Sequence, residues 1–150
     1  MAGIFWSAQT AEITTGTTVK TLLQVASGAA VNLMVKEIIC SFKGTVNTDA
    51  PILVEVLKQT GAGTMSALTV RKINNNAASL SMTALHTATI EPVDGGVVLD
   101  RQEVHPQGGR YYWVPPNNCP GLEVEAGARL GLRVTAAVSV SALASMKGEE

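Results

Sequence analysis

The side chains best suited to acid–base or metal chemistry are the two histidines, His86 and His105. Arg101, Glu103 and His105 follow one another at a spacing of two. On a β-strand this spacing places them on one face, about 7 Å apart. Such a trio could move protons, but a solvated strand face with cross-strand ion pairs has the same pattern and is far commoner. We expect the second arrangement, with His105 hydrogen-bonded or packed at a strand end.

No spacing in the chain matches a catalytic or metal-binding motif. A metal site of the cupin kind needs clustered histidine and carboxylate ligands, and no such cluster occurs. The chain has neither a G-x-S-x-G nucleophile elbow nor a glycine-rich phosphate loop. Cys40 and Cys119 lack C-x-x-C spacing, so we interpret them as small buried or semi-buried thiols in a reducing compartment. The sequence therefore predicts no catalytic residue, no metal, no cofactor and no enzymatic activity.

Length and charge favour one soluble domain spanning residues 1–150. A chain of 150 residues can remove roughly 70% of its unfolded surface from water. Eleven basic and twelve acidic side chains are scattered along it, for a net charge of −1, so the usual electrostatic signal for nucleic-acid binding is missing. The longest uncharged stretch, residues 73–90, is too polar for a bilayer, and the N-terminus carries no secretion signal. We expect neither nucleic acid nor membrane as a partner.

Alternating apolar residues recur in short stretches separated by Gly, Pro and Asn. The clearest stretches are residues 122–125 and 129–134, where Leu and Val alternate with Glu, Gly and Arg. A period of two is typical of half-buried strands. Eight or nine such strands with little helix predict an all-β antiparallel sandwich. A jelly-roll-like sandwich is the first expectation and an immunoglobulin-like sandwich is the alternative.

Two irregular points are predicted within this strand pattern. The apolar phase of residues 31–42 switches from odd to even positions, which predicts a β-bulge near Lys36-Glu37. Between residues 125 and 129, a two-residue hairpin would place Glu123 opposite Leu130 and break the apolar face, which argues against it. Two solutions remain open: a three-residue hairpin loop with Gly127 at positive φ, or a corner where the chain crosses to the facing sheet.

The pattern weakens over residues 64–92, which we predict to form a long excursion between strands. Residues 68–70 are compatible with a short strand, and residues 79–86 with one or two helical turns.

Aromatic residues on both faces of one strand indicate an interaction surface. Tyr111 and Trp113 point one way and Tyr112 the other. One side can be core, whereas the other is exposed, covered by the excursion, or buried against another chain. Pro115 and Pro116 follow in a rigid loop that is predicted to be an exposed tip.

Residues 1–14 are predicted to form an extended N-terminal arm. Phe5 and Trp6 are adjacent, so on a strand they face opposite ways and cannot both enter one core. One of them is expected to meet another surface. The predicted interface residues are Phe5, Trp6, Tyr111, Tyr112, Trp113, Pro115 and Pro116.

The succession of several motifs resembles a group of small structural proteins of tailed bacteriophages. The resemblance is carried by His105-Pro106-Gln107-Gly108-Gly109, Trp113-x-Pro115-Pro116, Gly121-Leu122-Glu123-Val124-x-x-Gly127-x-Arg129-Leu130-Gly131-Leu132-Arg133, and residues 21–25 and 49–51. The L-x-V-x-x-G-x-x-L-x-L run alone is similar to many jelly rolls, including those of the tumour-necrosis-factor type.

What the resemblance implies is a non-enzymatic virion structural protein. The expected role is that of a head decoration (cement) protein, which is made in the host cytoplasm and forms a homo-oligomer, with a trimer favoured. On the virion head it would stabilise the lattice of the major capsid protein. The alternative is a tail or fibre module that binds a host receptor or carbohydrate through exposed aromatic side chains.

Overall fold

The computed structural model describes residues 3–45, 47–75 and 78–150, which form two antiparallel β-sheets packed face to face. The strands are β1 (Phe5–Gln9), β2 (Ile13–Thr14), β3 (Lys20–Ala26), β4 (Leu33–Lys43), β5 (Ile52–Gln59), β6 (Thr64–Leu68), β7 (Arg71–Lys72), β8 (Thr83–Ile90), β9 (Asp94–Val104), β10 (Gln107–Trp113), β11 (Leu122–Val124), β12 (Arg129–Thr135) and β13 (Ser141–Glu149). The described residues contain no helix, and hence none that could span a membrane. The predicted all-β sandwich is confirmed.

Strand order identifies the sandwich as a jelly roll. Sheet A has the order β10-β4-β13-β1-β7, with β11 also paired to β4 and β2 to β13; sheet B has the order β6-β8-β3-β12-β5-β9. Eight strands form the basic fold: β1, β3, β4, β5, β9, β10, β12 and β13. Counted from one to eight along the chain, they lie in the orders 1-8-3-6 and 2-7-4-5. This is the jelly-roll arrangement, so the first expectation holds over the immunoglobulin-like alternative.

The core lies between the sheets and follows the period of two. Leu130, Leu132 and Val134 of β12 are buried, whereas the residues between them face outward. On sheet A, Phe42 and Met146 are buried in the same way. Each such side chain contributes about 1.5–3 kcal/mol when it leaves water.

The N-terminal arm predicted over residues 1–14 is extended, but it is not separate from the sandwich. Its residues 5–9 form β1, which lies inside sheet A between β13 and β7 and is the first strand of the jelly roll. Trp6 is 0% exposed within the core. Residues 1 and 2 of the predicted arm lie outside the described residues. Because a strand with its ladder hydrogen bonds on both sides is part of the fold, removing residues 2–12 would disrupt the sandwich.

The predicted excursion over residues 64–92 contains three strands instead. β6 and β8 extend sheet B beyond β3, and β7 adds an edge to sheet A beside β1. Residues 83–86, predicted to be compatible with a helical turn, belong to β8. The threonines of β8 favour a strand once flanking strands offer a ladder. Residues 76 and 77 of the excursion lie outside the described residues.

The junction near Gly127 is a corner between the sheets. β11 pairs with β4 in sheet A, whereas β12 pairs with β3 and β5 in sheet B. The chain therefore crosses from one sheet to the other, and the hairpin solution is wrong. Gly127 has φ +75°, a conformation that glycine adopts without a steric penalty.

The bulge near Lys36 is confirmed. Along the β4–β13 pair, Lys147 lies opposite Glu37, but the next residue of β13 lies opposite Val35. Lys36 is thus the extra residue, and the apolar phase changes there.

Two short connections cross the outer face of sheet B. β5 and β6 run in the same direction, so residues 60–63 must return along the length of the sheet. Residues 91–93 cross back from β8 to β9 beside them, and the Thr60 amide donates to the Val93 carbonyl at 2.9 Å. We call this covered surface the sealed face.

Candidate functional site

The candidate site is a surface for protein contact: the outer face of sheet A, which we name the open face. Its residues alternate with core residues along β1, β4, β10 and β13 and continue onto β7. It comprises Phe5, Ser7, Gln9, Ile39, Ser41, Arg71, Ile73, Arg110, Tyr112, Leu143, Ser145 and Lys147.

Strand register gathers one apolar patch on β10, β4 and β13. Tyr112 lies opposite Ile39, and Leu143 lies opposite Ser41, which is opposite Arg110. Residues that are directly opposite share a face, so the three large apolar side chains are neighbours. Tyr112 is 49% exposed and Leu143 48% exposed.

A second apolar patch lies at the β1 and β7 end of the open face. The Ile73 amide donates to the Phe5 carbonyl at 2.7 Å, and Ile73 is 59% exposed. The ammonium group of Lys36 lies 5.1 Å from the centroid of the Phe5 ring and pairs with the carboxylate of Glu149. The ring is therefore partly exposed and partly covered by a cation.

Short hydroxyl side chains separate the two patches. Ser145 lies opposite both Ile39 and Gln9, and Ser7 lies opposite Lys147. Small side chains leave a broad surface with shallow concavities, which suits contact with another protein better than enclosure of a small molecule.

The predicted interface residues are divided by the structure. Phe5 and Tyr112 lie on the open face, three strand spacings apart. Trp6 and Tyr111 are 0% exposed, so the prediction that they form an interface is wrong: their side chains fill the core. Burial raises the pKa of Tyr111, and its hydrogen bond to Asp100 acts in the same direction.

The remaining three predicted residues lie away from the open face. Trp113 is half-buried and packs against the core, in line with the prediction that it shares a side with Tyr111. Pro115 is half-buried and Pro116 exposed, in the segment of residues 114–121 between β10 and β11.

Leu143, Ile39 and Ile73 were not predicted. Leu143 carried a signal, because it is the large apolar residue on the serine face of the last strand. Ile39 was obscured by the phase switch at the bulge, and Ile73 follows a strand of only two residues, which is too short to give a pattern.

Of the Arg101, Glu103 and His105 trio, Arg101 and His105 form structural contacts. Arg101 pairs with Glu55, directly opposite on β5, at 3.1 Å. The Gln107 amide donates to Nδ1 of His105 at 3.1 Å, so the ring hydrogen-bonds at its turn as expected. Across the described ranges, no group of three or more His, Cys, Asp or Glu side chains is placed to hold a metal ion.

The sealed face carries a buried ion-pair cluster. Glu55 is 6% exposed and accepts two hydrogen bonds from Arg133, at 3.0 and 2.8 Å. Arg133 also donates to Asp94 at 3.1 Å. Burial alone would lower the pKa of Arg133, but the hydrogen bonds and charges of Glu55 and Asp94 outweigh burial and raise that pKa. The hydrogen bond from the Gly96 amide is the main cause that holds the pKa of Asp94 below its ordinary value; burial opposes it, and the hydrogen bond and charge of Arg133 lower the pKa further.

A chain of amides adjoins this cluster. Gln24 Nε2 donates to Gln59 Oε1 at 2.7 Å and to the Gly61 carbonyl at 3.0 Å. Gln59 in turn donates to Thr21, whose amide and hydroxyl donate to Glu91. The crossing segments therefore complete the hydrogen bonds of this face.

The two thiols differ in accessibility. Cys40 is buried and its burial raises the pKa of the thiol to about 12. Cys119 is exposed.

A scan against protein-family models, a search of curated proteins and a search of solved structures each found no match for this chain.

Proposed function

We propose that this protein is a non-enzymatic virion structural protein, a head decoration protein that stabilises the lattice of the major capsid protein. The observation that carries the proposal is the open face. It presents Tyr112, Leu143, Phe5 and Ile73 to solvent, each between 38% and 59% exposed. Large apolar side chains grouped on one sheet face are typical of a surface that another protein covers.

The jelly-roll order supports the same proposal more weakly. Jelly rolls occur in capsid proteins, lectins and cupins, so the fold supports a shell role only by analogy. The motif resemblance to phage structural proteins points in the same direction.

A homotrimer suits this role because of symmetry. In a closed cyclic assembly every copy presents the same face to one side of the ring. Three open faces would then meet the shell together, and each contact could be weak because the linked contacts add avidity.

The alternative, a tail or fibre module that stacks sugars on aromatic rings, fits the exposed aromatics less well. The Arg110 guanidinium lies 5.5 Å from the centroid of the Tyr112 ring, and Lys36 lies over Phe5. Each ring thus has a cation over one face, where a sugar would stack.

The test is binding to phage heads. The purified chain is mixed with heads assembled from the major capsid protein of the same genome, and the heads are sedimented. We expect saturable co-sedimentation at a fixed ratio to capsid subunits. Absence of co-sedimentation would overturn the proposal, and labelling confined to the tail in electron micrographs would support the alternative.

Light scattering tests the trimer separately. Three chains of 15.6 kDa give a particle of about 47 kDa. A monomer that still binds heads would contradict the trimer and leave the decoration role standing.

A further inference from the structure

A polar groove crosses one end of the open face, where β13, β1 and β7 lie side by side. It has a volume of about 460 Å³, and its lining includes Ser7, Gln9, Thr69, Arg71, Ile73 and Lys147. Cations, hydroxyl groups and an amide therefore converge in one open depression.

Strand register places a serine between the two cations. Ser7 lies opposite Lys147 of β13 on one side and opposite Arg71 of β7 on the other. Adjacent strands are about 4.8 Å apart, and directly opposite residues share a face. The hydroxyl of Ser7 thus lies on the groove floor with a positive charge on each side.

The Ser7 hydroxyl has an unused hydrogen-bonding capacity. Its Oγ is buried and finds no partner among residues 3–45, 47–75 and 78–150. A buried hydroxyl without a partner costs free energy, so such a group in a native fold calls for an explanation. Ser7 as a whole is half-buried and lines the groove, so a staggered χ1 rotamer that faces the opening would give the hydroxyl a partner there.

The charges in the groove are also incompletely balanced. Lys147 pairs with Glu37 at 2.7 Å. Arg71 forms no ion pair with a carboxylate of the described chain and is exposed. The groove therefore keeps a net positive charge and a fork of N–H donors beside an unpartnered hydroxyl, which together match a carboxylate.

We propose that this groove binds a glutamate or aspartate side chain of an extended acidic segment in the partner protein. The carboxylate accepts hydrogen bonds from Ser7 and Arg71, and a neighbouring apolar side chain of the segment contacts Ile73. The volume exceeds that of a single small anion, which favours a segment of several residues. This inference rests on the proposed function, because it assigns the acidic segment to the shell protein that the open face contacts.

The experiment uses the purified full chain and two capped peptides, one alternating glutamate with valine and the other alternating glutamine with valine. Binding is measured by calorimetry at low and at physiological ionic strength. We expect saturable binding of the glutamate peptide, at least about tenfold tighter than that of the glutamine peptide and weaker at the higher ionic strength.

Variants locate the site. Arg71→Gln and Ser7→Ala are expected to weaken binding of the glutamate peptide by about tenfold and by a few-fold, respectively. Lys58→Gln is the control, because Lys58 is an exposed cation on β5 of sheet B, outside the open face; it should leave binding unchanged. Thermal unfolding of each variant shows whether the fold is retained.

Equal affinity for the two peptides, or equal loss with Arg71→Gln and Lys58→Gln, would overturn the inference. Tighter binding of an oligogalacturonate than of the glutamate peptide would assign the groove to acidic sugars instead and also overturn it. The assay contains no virion, so a negative peptide result does not bear on the decoration role. If phage heads bind the chain but the glutamate peptide does not, only the proposal for the groove is refuted.

Discussion

The two outer faces of this sandwich differ in what covers them. Over sheet B, two crossing segments complete the hydrogen bonds of buried polar side chains, as when the Gly61 carbonyl accepts from Gln24. Over sheet A, large apolar side chains such as Leu143 remain half exposed. The part of sheet B under the crossing segments is thus completed by the chain itself, whereas the open face is left for another molecule. Ile90 and Val97 of sheet B remain exposed and so lie outside the covered part.

The two outer faces also differ in how far their ion pairs are buried. The Glu55 side chain is 7% exposed where it pairs with Arg133, whereas Glu37 is 26% exposed where it pairs with Lys147. Buried pairs depend on every partner being present, while exposed pairs are screened by water and salt.

The largest expected effect comes from removing the carboxylate of the sealed face. Glu55→Ala leaves Arg133 without its main partner and should lower the free energy of unfolding by about 3–5 kcal/mol. The matched change on the open face, Glu37→Ala, should cost only about 0–1 kcal/mol. Chemical denaturation of both variants measures the difference, and equal losses would contradict the distinction between the faces.

The next largest loss of stability is expected from a substitution at Gly131, which lies beside the amide of Gln59. A Cβ at Gly131 would lie 2.2 Å from Oε1 and 2.4 Å from Cδ of Gln59. Gly131→Ala should therefore displace the Gln59 amide from its partners and cost about 1–3 kcal/mol. Gly61→Ala is the control, since its Cβ would meet only Val93 Cγ2 at 4.0 Å, and its unfolding midpoint should stay close to that of the wild type. Similar midpoints for both variants would show that Gln59 adapts freely.

On the open face, substitution should affect binding and not folding. Leu143→Ser should change the free energy of unfolding by less than about 0.5 kcal/mol and weaken binding to phage heads by about tenfold or more. Val97→Ser on sheet B is matched in exposure, at 44% against 48%, and should leave head binding intact. If Val97→Ser abolished head binding and Leu143→Ser did not, the contact surface would lie on sheet B.

The smallest effect is a pH dependence of the sealed face. Because the folded pKa of Asp94 lies below its ordinary 3.8, ionised Asp94 stabilises the fold above that pH, and this contribution is lost as the pH falls through the folded pKa. The side chain is 41% exposed, so solvent screening keeps the contribution below about 1 kcal/mol. The difference in unfolding free energy between wild type and Asp94→Asn should shrink from about pH 7 to about pH 3. A constant difference would contradict the role of the charge.

Local parity in the sequence accounts for much of the fold. The phase switch at Lys36 located the bulge, because a period of two breaks only where a residue is inserted. The same parity excluded a tight hairpin before Arg129, but it left a loop and a corner equally open. The choice between them depended on β11 pairing with β4, a strand nearly ninety residues away.

The candidate site was only partly predictable. Adjacent Phe5 and Trp6 had to face opposite ways on a strand, but the neighbouring sequence does not indicate which of the two side chains enters the core. The pairing of β1 with β13, where Trp6 lies opposite Gly148, decides it. A Cβ at Gly148 would come within 2.8 Å of the Trp6 ring, so the glycine provides the space that the indole needs.

By itself, the sequence determined the strand class, the positions of most strands and the side of each strand that is apolar, because alternation is a local property of the backbone. The tertiary structure alone decided which strands are neighbours and which outer face is covered. Those features depend on contacts between residues far apart in the chain, such as Gln24 with Gly61 and Ser7 with Lys147, and alternation carries no information about them.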